Sequence, residues 1–270
     1  MAGLLRGIRR LNSLGHLSIA EPFAGGAGAS LSLLFKEDTP EIYINDADPA
    51  IYGFWWSILK DSQSFRGMLA KKRVSISEWR RQRDAYRSKR RQSSLRRGFA
   101  AFYLNRCNRS GIIPDGGPIG GIKQTGRWKL AARYNKATLK ARCEKVAEYG
   151  DRIHVSCTDG REFIASLRDS SVMYFVDPPY FEKGQLLYMN VLTETYHRAL
   201  SEQLRALQGA PWVLTYDDCP EIRAMYDGWA SIRPFTLRYS AAERRSGREL
   251  LITPQWLRLP RRQPSGAIAW

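Results

Sequence analysis

The sequence predicts an α/β fold: an open, mixed sheet, interrupted by one mostly helical insert and closed by an antiparallel hairpin. Three observations predict it. Short apolar strands alternate with helical patterns on both sides of the chain's middle. Two strands end in chemically rich turns, Glu21-Pro22-Phe23-Ala24-Gly25-Gly26 and Asp177-Pro178-Pro179-Tyr180. Between Asp61 and Tyr149 the alternation stops and the chain turns strongly basic. A length of 270 residues suits one large domain or a domain with an insertion, and 43% apolar residues suffice for a substantial core.

His16 to Ala20 reads as the first strand, followed by the glycine-rich run Glu21 to Ser30 and a helical pattern from Leu31 to Phe35. Strand, glycine turn and helix bring backbone close to a ligand at a helix N-terminus. The turn departs from strict G-x-G-x-x-G, and no Lys-Ser or Lys-Thr follows, so a phosphate-gripping loop is not expected. An ordinary tight βα turn is the alternative. Glu41 to Asp48 is a second strand ending in acids. Asp46 stands about 20 residues past the glycine turn, the offset at which an acid meets ribose hydroxyls in doubly wound folds. Asp48-Pro49 suits the cap of the next helix, Ala50 to Leu59. Phe54, Trp55 and Trp56 suit the core.

From Asp61 to Arg97 the chain reads as basic helices, with Arg80, Arg81, Arg83, Arg87, Lys89, Arg90 and Arg91 interleaved with Trp79 and Tyr86. Phe102 to Gly111 and a Gly/Pro-rich stretch to Trp128 follow, and Arg133-Tyr134-Asn135-Lys136 leads into a helix ending at Tyr149. Cations and side chains with two hydrogen-bonding ends suit phosphates and base edges. Asn105, Arg106, Arg109, Lys123, Gln124, Arg127, Arg133 and Asn135 are the candidate nucleic-acid contacts. The formal net charge is +17, and about 24 basic against about 5 acidic residues between Lys60 and Lys145 account for all the excess. That clustering is the footprint of a polyanion partner. A solvated helical face would carry more interspersed acids.

Alternation resumes with a strand from Arg152 to Cys157, the turn Thr158-Asp159-Gly160 and a helix from Arg161 to Leu167. Asp159 suits either an exocyclic amine or the cap of that helix. Val172 to Val176 is a buried strand leading into Asp177-Pro178-Pro179-Tyr180. Carboxyl ends of strands in open α/β sheets are where ligands bind. The prolines stiffen the loop and remove two N–H donors, leaving an acceptor-rich edge with an aromatic platform beside it. Such an edge fits a planar ring with an exocyclic amine, adenine above all. A polar loop to Asn190, a helix from Thr193 to Leu207, a strand from Trp212 to Tyr216 and a helix near Pro220 to Tyr226 come next. Two last strands, Ser231 to Tyr239 and Glu249 to Thr253, flank a polar turn at Arg244 to Gly247. The basic tail, residues 259–270, is expected to fray.

Cys107, Cys143, Cys157 and Cys219 are scattered, and His16, His154 and His197 do not pair with them at ligand spacing, so no metal site is expected. Scattered cysteines fit a reducing cytosol. Met1 to Leu17 lacks an apolar stretch of signal-peptide length, and no run approaches the ~18 apolar residues of a membrane span.

With both turns in place, the sequence resembles the Dam-like, D12 class of N6-adenine-specific DNA methyltransferases. Glu21 to Gly26 resembles the family's S-adenosylmethionine turn, Asn45-Asp46 its ribose-binding strand end, and Asp177 to Tyr180 its catalytic loop. Phe102-Tyr103-Leu104-Asn105-Arg106 stands where the family has its recognition insert, and Glu249-Leu250-Leu251-Ile252 is similar to its closing strand. The resemblance implies a Rossmann-like methyltransferase fold with a mixed seven-stranded sheet. It divides the chain into a catalytic domain of residues 1–60 and 150–258 and a target-recognition insert of residues 61–149. It implies methyl transfer to a flipped-out adenine in duplex DNA, without a metal. Asp177, Pro178, Pro179 and Tyr180 are then catalytic, and Glu21, Pro22, Phe23, Ala24, Gly25, Gly26, Asp46 and Asp159 bind the cofactor. The family's Gly-Gly-Lys segment before the first strand has only Gly7-Ile8-Arg9-Arg10-Leu11 as its counterpart. Either Arg9 replaces the lysine in the cofactor pocket, or that part is absent. The expected setting is a bacterial or phage-encoded monomer in the cytoplasm, with a cognate restriction endonuclease or a larger defence assembly as candidate partner. The competing readings are a catalytically weak DNA-binding subunit and a methyltransferase acting on RNA or protein amines.

Overall fold

The computed structural model describes residues 1–88, 90–167, 171–181, 192–236 and 248–260. They divide into two compact units, one of residues 1–46 with 152–270, the other of residues 47–151.

The first unit is built on a seven-stranded sheet. Its strands are β1 (Ser18–Glu21), β2 (Ile42–Asn45), β3 (Ile153–Ser156), β4 (Val172–Val176), β5 (Trp212–Asp217), β6 (Ala230–Thr236) and β7 (Arg248–Pro254), in the order β3-β2-β1-β4-β5-β7-β6. The first five lie parallel, and β7 runs antiparallel between β5 and β6. The mixed seven-stranded sheet and its closing antiparallel pair match the expectation. β4 has the expected bounds, the other described strand ends differ by at most three residues, and residues 237–239 of the strand expected to Tyr239 lie outside the described residues. The polar turn expected at Arg244 to Gly247, residues 182–190 of the polar loop, Lys89 and the tail from residue 261 lie outside the described residues.

The helices of this unit are α1 (Ala2–Leu11), α2 (Gly28–Leu34), α8 (Gly160–Ser166), α9 (Glu194–Ala206) and α10 (Pro220–Tyr226). β4 is buried along its whole length, as a strand covered on both faces must be. Tyr174, Val176, Leu214 and Tyr216 pack with Ile164, Leu200, Leu204, Ile222 and Tyr226 in one apolar cluster. α1 has no counterpart in the sequence reading. Leu5, Ile8 and Arg9 form its buried stripe at helical spacing, and the arginines around them mask that stripe in the sequence.

The second unit holds α3 (Pro49–Lys60), α4 (Ser62–Lys71), α5 (Ile76–Arg87), α6 (Ser94–Cys107) and α7 (Lys136–Glu148). It runs from Ala47 to Asp151, and within it α3 packs along α6. Two glycines make that packing. A Cβ on Gly98 would lie 2.2 Å from the Gly53 carbonyl carbon and from the Phe54 nitrogen, so the two backbones touch. Phe54, Phe65, Phe99, Phe102, Tyr103 and Tyr134 pack around this crossing with ring centroids 5.3–6.3 Å apart. Ser75 caps α5 by accepting from the Glu78 amide, and Arg66 of α4 pairs with Glu144 of α7 at 2.6 Å. Trp79 and Tyr86, interleaved with the basic residues of this stretch, are buried. Trp79 Nε1 donates to Asn108 Oδ1 at 2.7 Å, and the Tyr86 hydroxyl to Asp48 Oδ2 at 2.8 Å.

Candidate active site and nucleic-acid interface

The strand order reverses between β1 and β4, and the carboxyl ends of those two strands carry Glu21 and Asp177. That reversal opens the crevice in which doubly wound sheets bind ligands.

On the β1 side the chain makes a tight turn. Gly25 adopts φ +48°, Ala27 caps α2 at φ 45°, and the Ala27 amide donates to the Ala24 carbonyl at 2.7 Å. Left-handed backbone is cheap at Gly25 and strained at Ala27. Nothing lies within 4 Å of where a Cβ on Gly25 or Gly26 would project, so the turn leaves open space above its backbone. Phe23 lies against Gly160 at the head of α8, where a Cβ would come within 2.5 Å of its ring. The Gly25 amide donates to Asp46 Oδ2 at 2.9 Å, tying the turn to the end of β2.

Asn45 joins these pieces. Its amide nitrogen donates to the Pro22 and Thr158 carbonyls at 3.0 and 2.9 Å, and its oxygen accepts from Ser156, the Thr158 amide and the Thr158 hydroxyl. One buried side chain thus stitches together the ends of β1, β2 and β3. Asp159 caps α8 by accepting from the Arg161 amide at 2.8 Å, so the capping alternative is realised. Burial opposes its charge, but hydrogen bonds from Arg161 and the Tyr196 hydroxyl hold it below the usual carboxylate range. Among the described residues all these bonds fall on Oδ1.

Glu21 is buried and accepts from the Ser30 amide at 2.8 Å and from the Ser30 hydroxyl. Burial raises its carboxyl to about 7, outweighing the Ser30 hydrogen bonds, and nearby Asp177 adds to the rise. From pH 4.5 to about 7 the folded protein therefore holds a proton that the unfolded chain has lost. Stability attributable to Glu21 falls as pH rises across that window, by up to about 1.4 kcal/mol per pH unit. Glu21→Gln is expected to flatten this part of the curve of Tm against pH. Parallel curves for the two proteins would refute the assignment.

On the β4 side, Pro178 is buried and Tyr180 half-buried, with the Tyr180 hydroxyl donating to Glu249 Oε2 at 3.0 Å. The Phe181 amide donates to Asp217 Oδ1 at 3.0 Å and fixes the far end of the loop. Asp177 keeps an exposed surface, yet the protein crowded around it raises its carboxyl to about 6. Accessibility governs what can reach this group and crowding governs its charge, so Asp177 is a reachable carboxylate with raised proton affinity. Thr215 and Glu249 lie beneath it. Glu249 stands in the sequence as the head of the closing strand, with no role at the site, and Thr215 is not singled out there at all. A polar side chain within an apolar strand, such as Thr215 in β5, is a weak signal in the sequence.

Arg9 does not join this site. Its Nη2 donates to the carbonyls of Gly15, Leu17 and Asp38 at 3.1, 2.7 and 2.9 Å. These carbonyls lie before β1 and β2, at the opposite edge of the sheet from the glycine turn. Burial lowers its pKa to about 10 against the pull of Asp38. Arg9 is a clamp that ties α1 to the sheet.

In the helical unit, three of the expected contacts serve the fold. Gln124 donates to Ile119 and Gly121 and accepts from the Leu130 amide, Asn135 caps α7, and Asn105 bonds Gly111 and Arg106. Arg109, Lys123, Arg127 and Arg133 are exposed, and Arg106 is half-buried. Burial and the like charges of Arg133 and Arg142 lower Arg106 to about 10. Trp128 stands 65% exposed beneath the Arg127 guanidinium, in the same loop as exposed Ile122. Of the Arg80–Arg91 cluster, Arg83 pairs with Asp84 and Arg87 with Asp115, while Arg80, Arg90 and Arg91 are exposed.

Residues 4–241 match the sequence model of the D12 class N6 adenine-specific DNA methyltransferases. The chain belongs to that family. It is an enzyme, an adenine-specific DNA methyltransferase, and its seven-stranded sheet is the methyltransferase sheet the sequence led us to expect. No curated protein sequence matches it. Among solved structures, two of the rRNA methyltransferase AviRa from Streptomyces viridochromogenes are similar, at 15% and 16% identity. Each alignment covers 93% of this chain and 81% of the other, with TM-scores of 0.35 and 0.36. Among the described residues of the methyltransferase, no cluster of His, Cys, Asp and Glu could hold a metal ion, and no helix is long and apolar enough to cross a membrane.

Proposed function

We propose that the methyltransferase uses S-adenosylmethionine and transfers its methyl group to the N6 amine of an adenine flipped out of duplex DNA. The observation that carries this reading is the reachable, high-affinity carboxylate of Asp177 at the switch point, opposite an open glycine turn. The residues present fit a nucleoside-bearing methyl donor. Open space above Gly25 and Gly26 admits it, Asp46 suits the ribose diol, Oδ2 of Asp159 suits an adenine amine, and the Phe23 ring offers an apolar face. When bound, this donor supplies an electrophilic methyl group.

The adenine amine is a weak nucleophile because its lone pair is delocalised into the ring. Asp177 and the Pro178 carbonyl accept its two hydrogens and thereby favour a more tetrahedral nitrogen with its lone pair free to attack. Tyr180 stacks on the base. Positioning and electrostatics supply the rate enhancement. Flipping costs a few kcal/mol of lost stacking and pairing, which phosphate contacts help to offset. Arg106, Arg109, Lys123, Arg127 and Arg133 are our candidates for those contacts. The reading includes a cytoplasmic monomer.

Incubating the protein with random-sequence duplex DNA and labelled S-adenosylmethionine, then mapping N6-methyladenine, tests the proposal. Label entering only RNA or peptide would overturn it. Each phosphate contact steepens the fall of log K with log salt by about 0.9. Replacing Lys123, Arg127 and Arg133 together by alanine is therefore expected to flatten that slope by about 2.7. An unchanged slope would remove these residues from the interface.

A further inference from the structure

The acceptor edge at Asp177 rests on two strands. β5 lies beside β4 with Val176 opposite Leu214, which brings the next residue, Thr215, alongside Asp177. Thr215 is 1% exposed, and its hydroxyl donates to Asp177 Oδ1. β7 pairs with β5 through Asp217 and Glu249, and this places Glu249, 0% exposed, at the same edge. Glu249 Oε2 accepts from the Tyr180 hydroxyl at 3.0 Å. A buried hydroxyl and a buried carboxylate are tolerated inside the sheet because each is hydrogen-bonded, to Asp177 and to Tyr180.

We propose that Thr215 and Glu249 are positioning residues for methyl transfer. Thr215 fixes one oxygen of the acceptor carboxylate so that the other meets the amine, and Glu249 anchors the stacking ring while setting a second negative charge behind Asp177. The inference rests on the reading of Asp177 as the amine acceptor. The two residues act on Asp177 in opposite senses. A donated hydrogen bond favours its ionised form, and a like charge disfavours it. The other groups facing Asp177 are Glu21 from β1, the Tyr180 hydroxyl from its own loop and the Met1 amino group at the head of α1. Asp217 of β5 faces the same loop through the Phe181 amide. Glu21, the Met1 amino group and Asp217 are left unchanged by substitutions at Thr215 or Glu249. Glu249→Gln, however, weakens the hold on the Tyr180 hydroxyl. A hydroxyl turned toward Asp177 favours its ionised form and moves the acid limb of a pH profile the same way as the lost charge, down.

The test is the pH profile of kcat/KM on random-sequence duplex DNA at saturating S-adenosylmethionine, for the parent protein, Thr215→Val, Thr215→Ser and Glu249→Gln. The acid limb is expected to move up by about 0.5 to 1 pH unit in Thr215→Val, and down by a similar amount in Glu249→Gln. Thr215→Ser, which keeps the hydroxyl, is expected to restore the parent limb. A role confined to packing would lower activity at every pH without moving the limb. A limb that stays put in Glu249→Gln, or moves the same way in both variants, overturns the proposal, and Glu249→Gln serves this purpose even if Thr215→Val fails to fold. Asp177→Ala is the separate control. If it methylates DNA at the parent rate, the acceptor reading itself is wrong, whatever the other variants do.

Discussion

Asp177→Ala is expected to lower kcat for DNA methylation by about a thousandfold or more, the range typical of removing a group that acts only in the transition state. The loss should fall on kcat, because an amine acceptor contributes little until the nitrogen begins to rehybridise. DNA affinity should hold, since the candidate phosphate contacts lie in the separate helical unit. Folding should also survive. The Asp177 carboxyl is raised from 3.8 to about 6, so between those values the folded protein retains a proton that the unfolded chain has lost. The stability it contributes falls as pH rises through that window, and above it the ionised group weighs against the folded state. The alanine variant is thus expected to be inactive at pH 8 with a Tm no lower than the parent's. A clear drop in Tm would show that Asp177 serves the fold as well as the chemistry.

Gly98→Ala is expected to destabilise the helical unit more than any other single methyl group added to it. The new carbon would sit 2.2 Å from backbone atoms of α3, which cannot rotate away as a side chain could. The helices must separate, and the aromatic cluster around their crossing loses its packing. Overpacking typically costs about 1–3 kcal/mol, and backbone contact puts this case at the upper end. The gain in helix propensity, about 1 kcal/mol, offsets only part of it. Gly67→Ala is the matched control in α4, where nothing lies within 4 Å of the added carbon. It should leave Tm unchanged or raise it. Thermal melts of the two variants decide the matter, and equal effects would refute the backbone-contact argument.

Much of the sheet unit was legible because its signals are local. β4 is an unbroken apolar run, and the turns at Gly25 and Asp177 carry residue types that few other structures require. The cap at Asp48, which accepts from the Ala50 amide at 2.7 Å, is equally local. What escaped the reading depends on distant partners. The Gly53–Gly98 crossing joins helices far apart in sequence, so no local signal announces that α3 packs along α6. Gln124 and Asn135 present in the sequence as free polar side chains, and only the folded loops show that backbone groups have claimed them. Arg9 left two alternatives open for the same reason. A basic residue in a cofactor-like segment reads as a ligand contact until three carbonyls are found around it. Thr215 gained meaning only from strand register, and register took Glu249 from a closing-strand residue to a neighbour of Asp177.

Asn45 has a consequence for the thermodynamics of donor binding. Because one amide joins the turns after β1, β2 and β3, those turns have little freedom to lose when a ligand settles among them. Ordering loops on binding is a principal drain on affinity, and a rim already locked avoids it. The signature would be a modest entropic penalty in calorimetry with S-adenosylmethionine. Cutting the knot with Asn45→Ala would make that penalty larger without removing any direct contact to the donor.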